Sequence, residues 1–167
     1  MFSIDSCCLP DGALLAAYRR QGDYTDCFAT GIARAVTHGE YVAAFYTTTV
    51  FKLERLILNW AVARPSTDNQ AQLLGAGAVD RFAAWHVEER SDNQLLMCDF
   101  MGRTRSWLMI EPLGNAETRL YFGSAVVAKG PPRSGKPALG AGFSATLGLH
   151  RFYSQVLLRA AKARLEN

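Results

Sequence analysis

The spacing of apolar and polar residues changes character twice along the chain. "LPDGALLAAYRRQGD", with its helix over about 10–21, reads as a short amphipathic helix that stops at Gly22. "YTDCFATGIARA" then mixes aromatic and β-branched residues with polar alternation, the pattern of a strand. Thr37-His38-Gly39-Glu40 has a threonine followed three residues later by glutamate, a capping box that starts a helix. Thr47-Thr48-Thr49 is a poor helix interior because β-branched side chains lose rotamer freedom there. Two helices are therefore predicted to meet near it, over about 38–46 and 49–62.

At 100° per residue, Val50, Leu53, Leu56, Ile57, Trp60 and Ala61 of the second helix form one apolar arc opposite Lys52, Arg55 and Asn59. Glu54 breaks the pattern by falling on or beside the buried side. A carboxylate there needs an arginine partner, a ligand, or a raised pKa. "ARPSTDNQAQLLGAGA" reads as a capped short helix and a glycine-rich turn.

The period then becomes that of strands. "VDRFAAWHVEER", "QLLMCDF", "RTRSWLMIEP" and "TRLYFGSAVVA" are four runs divided by the turn-type residues Ser91-Asp92-Asn93, Met101-Gly102 and Leu113-Gly114-Asn115. Connections so short join only antiparallel neighbours, so these runs form a meander. A Pro/Gly-rich linker over about 130–142 leads to a long helix over about 143–165. On it Arg151, Gln155, Arg159, Lys162 and Glu166 share a narrow sector, while Leu149, Phe152, Tyr153 and residues 156–158 cover much of the rest. A helix so apolar is expected to be packed on more than one side.

Alternation within each strand separates two sets of side chains. Trp85 and Val87 share a face of their strand, as do Met97 and Asp99, Arg103, Arg105, Trp107 and Met109, and Arg119 and Tyr121. One reading places Trp85, Arg105, Trp107 and Tyr121 around a cavity, with Arg105 holding an acidic group or Glu54. The other places them on an outer, partly wet face with Asp99 in a cross-strand ion pair. Register decides: a two-residue turn at Met101-Gly102 sets Asp99 opposite Thr104, and a shift of one residue sets it against Arg103 or Arg105.

Composition narrows the functional classes. A chain of 167 residues is expected to be one domain, 1–167, large enough to fold without a metal or disulfide staple. No apolar run reaches the roughly 20 residues of a membrane span. "MFSIDSCCLPDG" has neither a basic start nor an apolar signal core, so a cytoplasmic location is the expectation. Residues 1–127 carry 11 basic and 14 acidic side chains, a balance of −3, and residues 128–167 carry 7 and 1, a balance of +6. The basic stripe of the last helix accounts for much of that asymmetry. Arg103-Thr104-Arg105 beside Trp107 is the combination closest to a single-strand binder, but a pI of 8.8 and few aromatics among the basic residues argue against nucleic acid.

The cysteines, Cys7, Cys8, Cys27 and Cys98, form no C-x-x-C pair and read as free thiols, Cys27 and Cys98 packed inside strands. His86-Val87-Glu88 would bring imidazole and carboxylate to one strand face, weak grounds for a metal; no metal or cofactor is expected. Gly130-Pro131-Pro132-Arg133-Ser134-Gly135-Lys136-Pro137 falls one residue short of a phosphate-binding loop. Pro137 replaces the metal-binding hydroxyl and three prolines delete backbone donors, so the stretch is read as a linker.

The order of elements resembles the START-like helix-grip superfamily, an α+β fold in which a curved antiparallel sheet wraps a long C-terminal helix. The carrying stretches are "YTDCFATGI", "HGEYVAAFYTTTVFKLERLILNW", "RFAAWHVEER" through "LYFGSAVVA", and "FSATLGLHRFYSQVLLRAAKARL", about residues 24–165. "CDFMGRTRSWLMIEP" and "RLYFGSAVV" look like segments of an uncharacterised bacterial branch. Four strands follow the helices, where that superfamily usually has six, which implies a smaller cavity. The competing fold is a cystatin-like sheet, which normally lacks the terminal helix. The resemblance implies a small apolar or amphipathic ligand in an internal cavity, for which the helix and strand patterns offer Glu54, Trp85, Asp99, Arg105, Trp107 and Tyr121 as the contacts. An enzyme of the same fold, of cyclase, dehydratase or hydrolase type, would use Glu54 or Asp99 with Arg105. An interaction module without small-molecule chemistry is the third reading, and a homodimer stays open.

Overall fold

The two capping boxes set the helical half of the molecule. Thr37 Oγ1 accepts from the Glu40 N–H at 3.2 Å, and the Glu40 carboxylate accepts from the Thr37 N–H at 2.8 Å, starting helix α2 (His38–Tyr46). Thr67 and Gln70 repeat the arrangement at 3.2 and 2.9 Å at the start of α3 (Asp68–Gly75). Each box satisfies two otherwise orphaned donors, typically about 1 kcal/mol for the cap. The computed structural model describes residues 3–51, 67–127 and 141–167, with 141–150 described by backbone alone.

Strands β1 (Asp5–Ser6), β2 (Tyr24–Ile32), β3 (Arg81–Phe82), β4 (Trp85–Ser91), β5 (Gln94–Asp99), β6 (Thr104–Gly114) and β7 (Glu117–Val126) form one sheet in the order β1-β2-β7-β6-β5-β4-β3. Every neighbouring pair is antiparallel. Helix α1 (Ala16–Arg20) precedes β2, and α4 (Ala141–Glu166) ends the chain. The fold is thus α+β, an antiparallel sheet packed on a long C-terminal helix. Among the described residues no helix is long and apolar enough to cross a membrane.

Among the described residues five strands follow the helices rather than four. The run "VDRFAAWHVEER" folds back on itself at Ala83-Ala84, so that Arg81 faces His86 and Phe82 faces Trp85. Ala83 takes a φ of 52° to make that reversal. Alanine is uncommon in the left-handed region, which is why composition did not mark a turn there. The edge strand β1 was also not anticipated.

The threonine run behaves as its chemistry requires. α2 stops at Tyr46, Thr47 Oγ1 donates back to the Ala43 carbonyl at 2.7 Å, and Thr48 Oγ1 accepts from the Phe51 N–H at 3.2 Å. Residues 49–51 are helical again. The rest of the expected 49–62 helix, Glu54 included, lies outside the described residues, as does most of the 130–142 linker.

Two apolar layers flank the sheet. On one face α2, α3 and α4 close over Phe28, Leu95, Met97, Leu108, Leu120 and Phe122. Helix α4 contributes Leu157, Leu158, Ala161 and Leu165 to this core, and its last turn is fixed by Arg34, which donates to the Leu165 carbonyl at 2.7 Å. Phe152, expected on a packed side of that helix, is 65% exposed. The other face, expected to be partly wet, is covered by the N-terminal segment: Leu9, Ala13, Leu14, Leu15 and Tyr18 lie against Leu96, Trp107, Met109 and Tyr121.

Candidate functional site

Directly paired residues of an antiparallel ladder share a face, so register assigns each predicted site residue to a layer. Trp85 pairs with Asp99, Val87 with Met97, and Met97 with Ser106. These belong to the helix-facing side, with Leu108 and Phe122. Arg105, Trp107 and Tyr121 alternate to the opposite side. The expected ring of Trp85, Arg105, Trp107 and Tyr121 around one space is therefore divided by the sheet itself. The β5–β6 turn has the two-residue register, ending in the pair Cys98–Arg105. Asp99 then accepts from the Arg103 N–H at 2.7 Å and the Thr104 N–H at 3.3 Å. It closes the turn and does not meet Arg105, so those two side chains are not one catalytic pair.

The three residues on the N-terminal side are engaged in holding that side together. Trp107 is fully buried, and its indole N–H donates to Gln94 Oε1 at 2.9 Å. The same oxygen accepts from the Leu14 N–H at 2.9 Å, while Gln94 Nε2 donates to the Gly12 carbonyl at 3.1 Å. Gly123 leaves room for the indole, since a Cβ there would lie 2.9 Å from the ring. Arg105 Nε lies 2.8 Å from the Glu88 carboxylate and donates to the Tyr18 hydroxyl at 2.7 Å, with the guanidinium 4.7 Å above the Tyr18 ring. The Tyr18 hydroxyl also donates to Glu88. Burial, then Glu88, pushes the Tyr18 phenol up to about 12. Tyr121 donates to Glu111 at 2.7 Å and lies beneath Arg119.

Glu88 reaches Arg105 because β4 carries a bulge between Val87 and Glu89. A bulge inserts one extra residue and re-aims its neighbours, so His86 and Glu88 no longer behave as simple alternating positions. Among the described residues no group of three His, Cys, Asp or Glu side chains could hold a metal ion.

The helix-facing side has a different character at its two ends. Its middle rows, Phe28, Phe122, Leu108 and Leu95, then Leu120 and Ile110, are buried and apolar. Toward the β5–β6 turn the rows become polar, with Ser106 and Ser124 still buried and the row beyond them half-open. Asp26 pairs with Ser124, Ser124 with Ser106, and the next row holds Tyr24, Val126 and Thr104. Tyr24, Asp26, Thr104, Val126, Trp85, Val87 and Asp99 are all intermediate in exposure.

The polar groups of this end are ordered by one another. Asp26 Oδ1 accepts from the Ser124 N–H at 3.0 Å and its hydroxyl at 2.6 Å. The Tyr24 hydroxyl donates to Asp26 Oδ2 at 3.4 Å, and burial, then the Asp26 charge, pushes that phenol up to about 12. It stays a hydrogen-bond donor at neutral pH. From α2, the buried Tyr46 hydroxyl lies 3.4 Å from Ser106 Oγ. Tyr46 also stacks edge-on against Phe51, 4.9 Å between ring centroids, and lies 5.2 Å from Phe82. Hydroxyls and a carboxylate beside an aromatic wall can orient a polar group and shelter an apolar body.

Sequence reasoning found Trp85 and Asp99 of this region but missed Tyr24, Asp26, Tyr46, Ser106 and Ser124. Asp26 and Ser124 are far apart in sequence and meet only through the β2–β7 register. The signal was the polar residue alternating with Cys27 and Phe28 in an otherwise apolar strand, a pattern that an exposed strand end also produces.

No protein-family model matches the chain, and no curated protein matches it. Among solved structures it is similar to CalU16 from Micromonospora echinospora, at 12% identity and a TM-score of 0.34, over 98% of this chain and 92% of that one. No functional inference rests on so distant a likeness.

Proposed function

We propose that the protein binds a small amphipathic molecule between its sheet and C-terminal helix, at the half-open end of the helix-facing side. The apolar body of the ligand would lie against Trp85, Val87 and Val126. Its polar group would reach the hydroxyls of Tyr46 and Ser106 and the Tyr24–Asp26 pair. The observation that carries this reading is the gradient along one sheet face, from a sealed aromatic core through the buried hydroxyls of Tyr46, Ser106 and Ser124 to the half-exposed Tyr24, Asp26 and Thr104. Glu54, outside the described residues, stays a proposed contact. Arg105, Trp107 and Tyr121 would support the site through the sheet without touching the ligand.

Native mass spectrometry of the purified protein, with solvent extraction of any adduct, is the first test. It is paired with titration by a fluorescent long-chain fatty acid. A stoichiometric adduct, or saturable binding that unlabelled fatty acid displaces, supports the reading. A clean unliganded mass together with no saturable binding would remove it in favour of an interaction surface.

A further inference from the structure

We propose that Cys7 and Cys27 form a redox-active dithiol that a hydroperoxide converts to a disulfide, tethering the N-terminal segment to the sheet. The β1–β2 ladder pairs Asp5 with Ala29 and Ser6 with Phe28. One step further, the Cys7 N–H donates to the Cys27 carbonyl at 3.0 Å, placing the two cysteines directly opposite. Directly opposed antiparallel residues have Cα atoms roughly 4.5–5.5 Å apart, inside the range that disulfides span. The sulfurs are already 3.3 Å apart, and both cysteines are free. Closing the bond requires a local approach of the sulfurs and no rearrangement of the strands.

The two thiols differ in the way that a reactive and a resolving cysteine differ. Cys7 is partly exposed and Cys27 is buried. They line an open recess of about 320 Å³ together with Arg19, Tyr24 and Arg151. The hydrogen bond with Cys27 lowers the Cys7 thiol to about 7, against its own burial and with help from Arg119. Cys27 is pushed far up by the same contact and by burial. An accessible, electropositive, partly ionised thiol beside a second thiol is the arrangement found in redox sensors. Cys8 is exposed, and Cys98, buried on β5, donates instead to the Asp99 carbonyl at 3.3 Å.

The chemistry balances with the hydroperoxide as two-electron oxidant. The Cys7 thiolate attacks the outer peroxide oxygen; the S–O bond forms, the O–O bond breaks, and the departing alkoxide leaves as an alcohol after taking up a proton. The Cys27 sulfur then attacks the Cys7 sulfenic acid. The S–S bond forms, the S–O bond breaks, and hydroxide departs with the Cys27 proton as water. Two thiols and one hydroperoxide give one disulfide, one alcohol and one water. The product joins the segment that covers Trp107 to β2, and a cross-strand disulfide of this kind is readily reduced again.

The test is stoichiometric hydrogen peroxide on the full-length protein, read by intact mass, free-thiol count and peptide mapping. The wild type and Cys8→Ser are expected to lose about 2 Da and two thiols, with Cys7 and Cys27 in one linked peptide. In Cys27→Ala, dimedone should trap a sulfenic acid on Cys7; Cys7→Ser should keep its remaining thiols at that dose. Reaction of the native wild type should be at least ~10-fold faster than that of the urea-unfolded chain, because folding supplies both the ionisation and the neighbour. A disulfide involving Cys8 or Cys98, or a native rate no faster than the unfolded one, overturns the proposal. The wild-type peptide map decides it even if Cys27→Ala fails to fold.

Discussion

Cys98 stands directly across the ladder from Arg105, and that single pairing assigns every neighbouring side chain on β5 and β6 to a face. Arg105 goes to the N-terminal side with Trp107, and Asp99 goes to the helix side with Trp85. The Arg105 side chain is 11% exposed and that of Glu88 29%, and Arg105 shares Glu88 with Tyr18, so removing it leaves the carboxylate with the phenol alone. Arg105→Gln is expected to destabilise the fold by about 1–2 kcal/mol, between an exposed pair and a buried one broken at one partner. Adding Glu88→Gln should recover part of that loss. Urea unfolding of the two single variants and the double variant measures the coupling, and strictly additive losses would mean that the ion pair contributes nothing.

Gln94 holds Trp107, Leu14 and Gly12 at once. Its replacement by leucine would leave the buried indole N–H and the Leu14 N–H without partners, about 1–3 kcal/mol for each group left unsatisfied. The loss should localise. Hydrogen exchange should accelerate over residues 9–18 before the sheet amides change. Uniform acceleration across the sheet instead would mean that Gln94 is not the clasp of this segment.

Gly39 and Gly75 bring α2 and α3 into backbone contact. A Cβ at Gly39 would lie 2.8 Å from the Gly75 carbonyl oxygen, and one at Gly75 would lie 2.5 Å from that of Gly39. In a free helix Gly→Ala stabilises by about 0.5–1 kcal/mol; here the sign should reverse, with Gly39→Ala costing about 1–3 kcal/mol through overpacking. A thermal midpoint at or above that of the wild type would refute the close approach.

Some of this was readable from the sequence and some was not, for physical reasons that differ by element. The capping residues Thr37 and Glu40 act locally, within one helical turn, so their pattern identified α2 to the residue. Glycine- and asparagine-rich turns located β5, β6 and β7 for the same reason. The Ala83 turn uses an alanine at positive φ, a conformation that its side chain disfavours, and no local rule points to it. Trp107 looked like a pocket residue because an aromatic beside arginines suits either face. Only the covering by Leu14 and Leu15, some ninety positions earlier in the chain, makes it core. The Asp26–Ser124 contact is likewise a product of register between distant strands, to which single-strand alternation is blind.

His38 opens α2 in a buried position, and burial, with Arg90 nearby, lowers its imidazole from 6.5 to about 4. Its Nε2 has no hydrogen-bond partner among the described residues. Between those values the unfolded chain takes up a proton that the folded chain refuses. Stability is therefore full above pH 6.5, falls as pH drops through the unfolded value, and levels off only below about 4. The contribution is up to about 3 kcal/mol across that interval. Urea midpoints for the wild type and His38→Gln at several pH values isolate it from the carboxylates. Parallel curves for the two proteins would show that the folded chain takes up a proton on His38 as readily as the unfolded one.

The two faces of the sheet make opposite predictions for ligand affinity, which is what separates a pocket from a structural layer. Trp85→Ala removes an aromatic wall from the half-open end, and losing the burial of such a side chain costs about 1.5–3 kcal/mol, roughly 10- to 100-fold in Kd. Tyr46→Phe removes one hydroxyl and should weaken binding by about 1 kcal/mol, leaving the aromatic contacts with Phe51 and Phe82 in place. Trp107→Phe keeps most of the volume on the N-terminal side, so it should lower stability while leaving the Kd for a fluorescent fatty acid within about 2-fold. The comparison is decisive because all three residues are aromatic, while Trp107 alone lies on the N-terminal side of the sheet. If Trp107→Phe weakens binding as much as Trp85→Ala while Tyr46→Phe is neutral, the ligand lies under the N-terminal segment, and the polar rows around Asp26 and Ser106 serve only to knit the strands together.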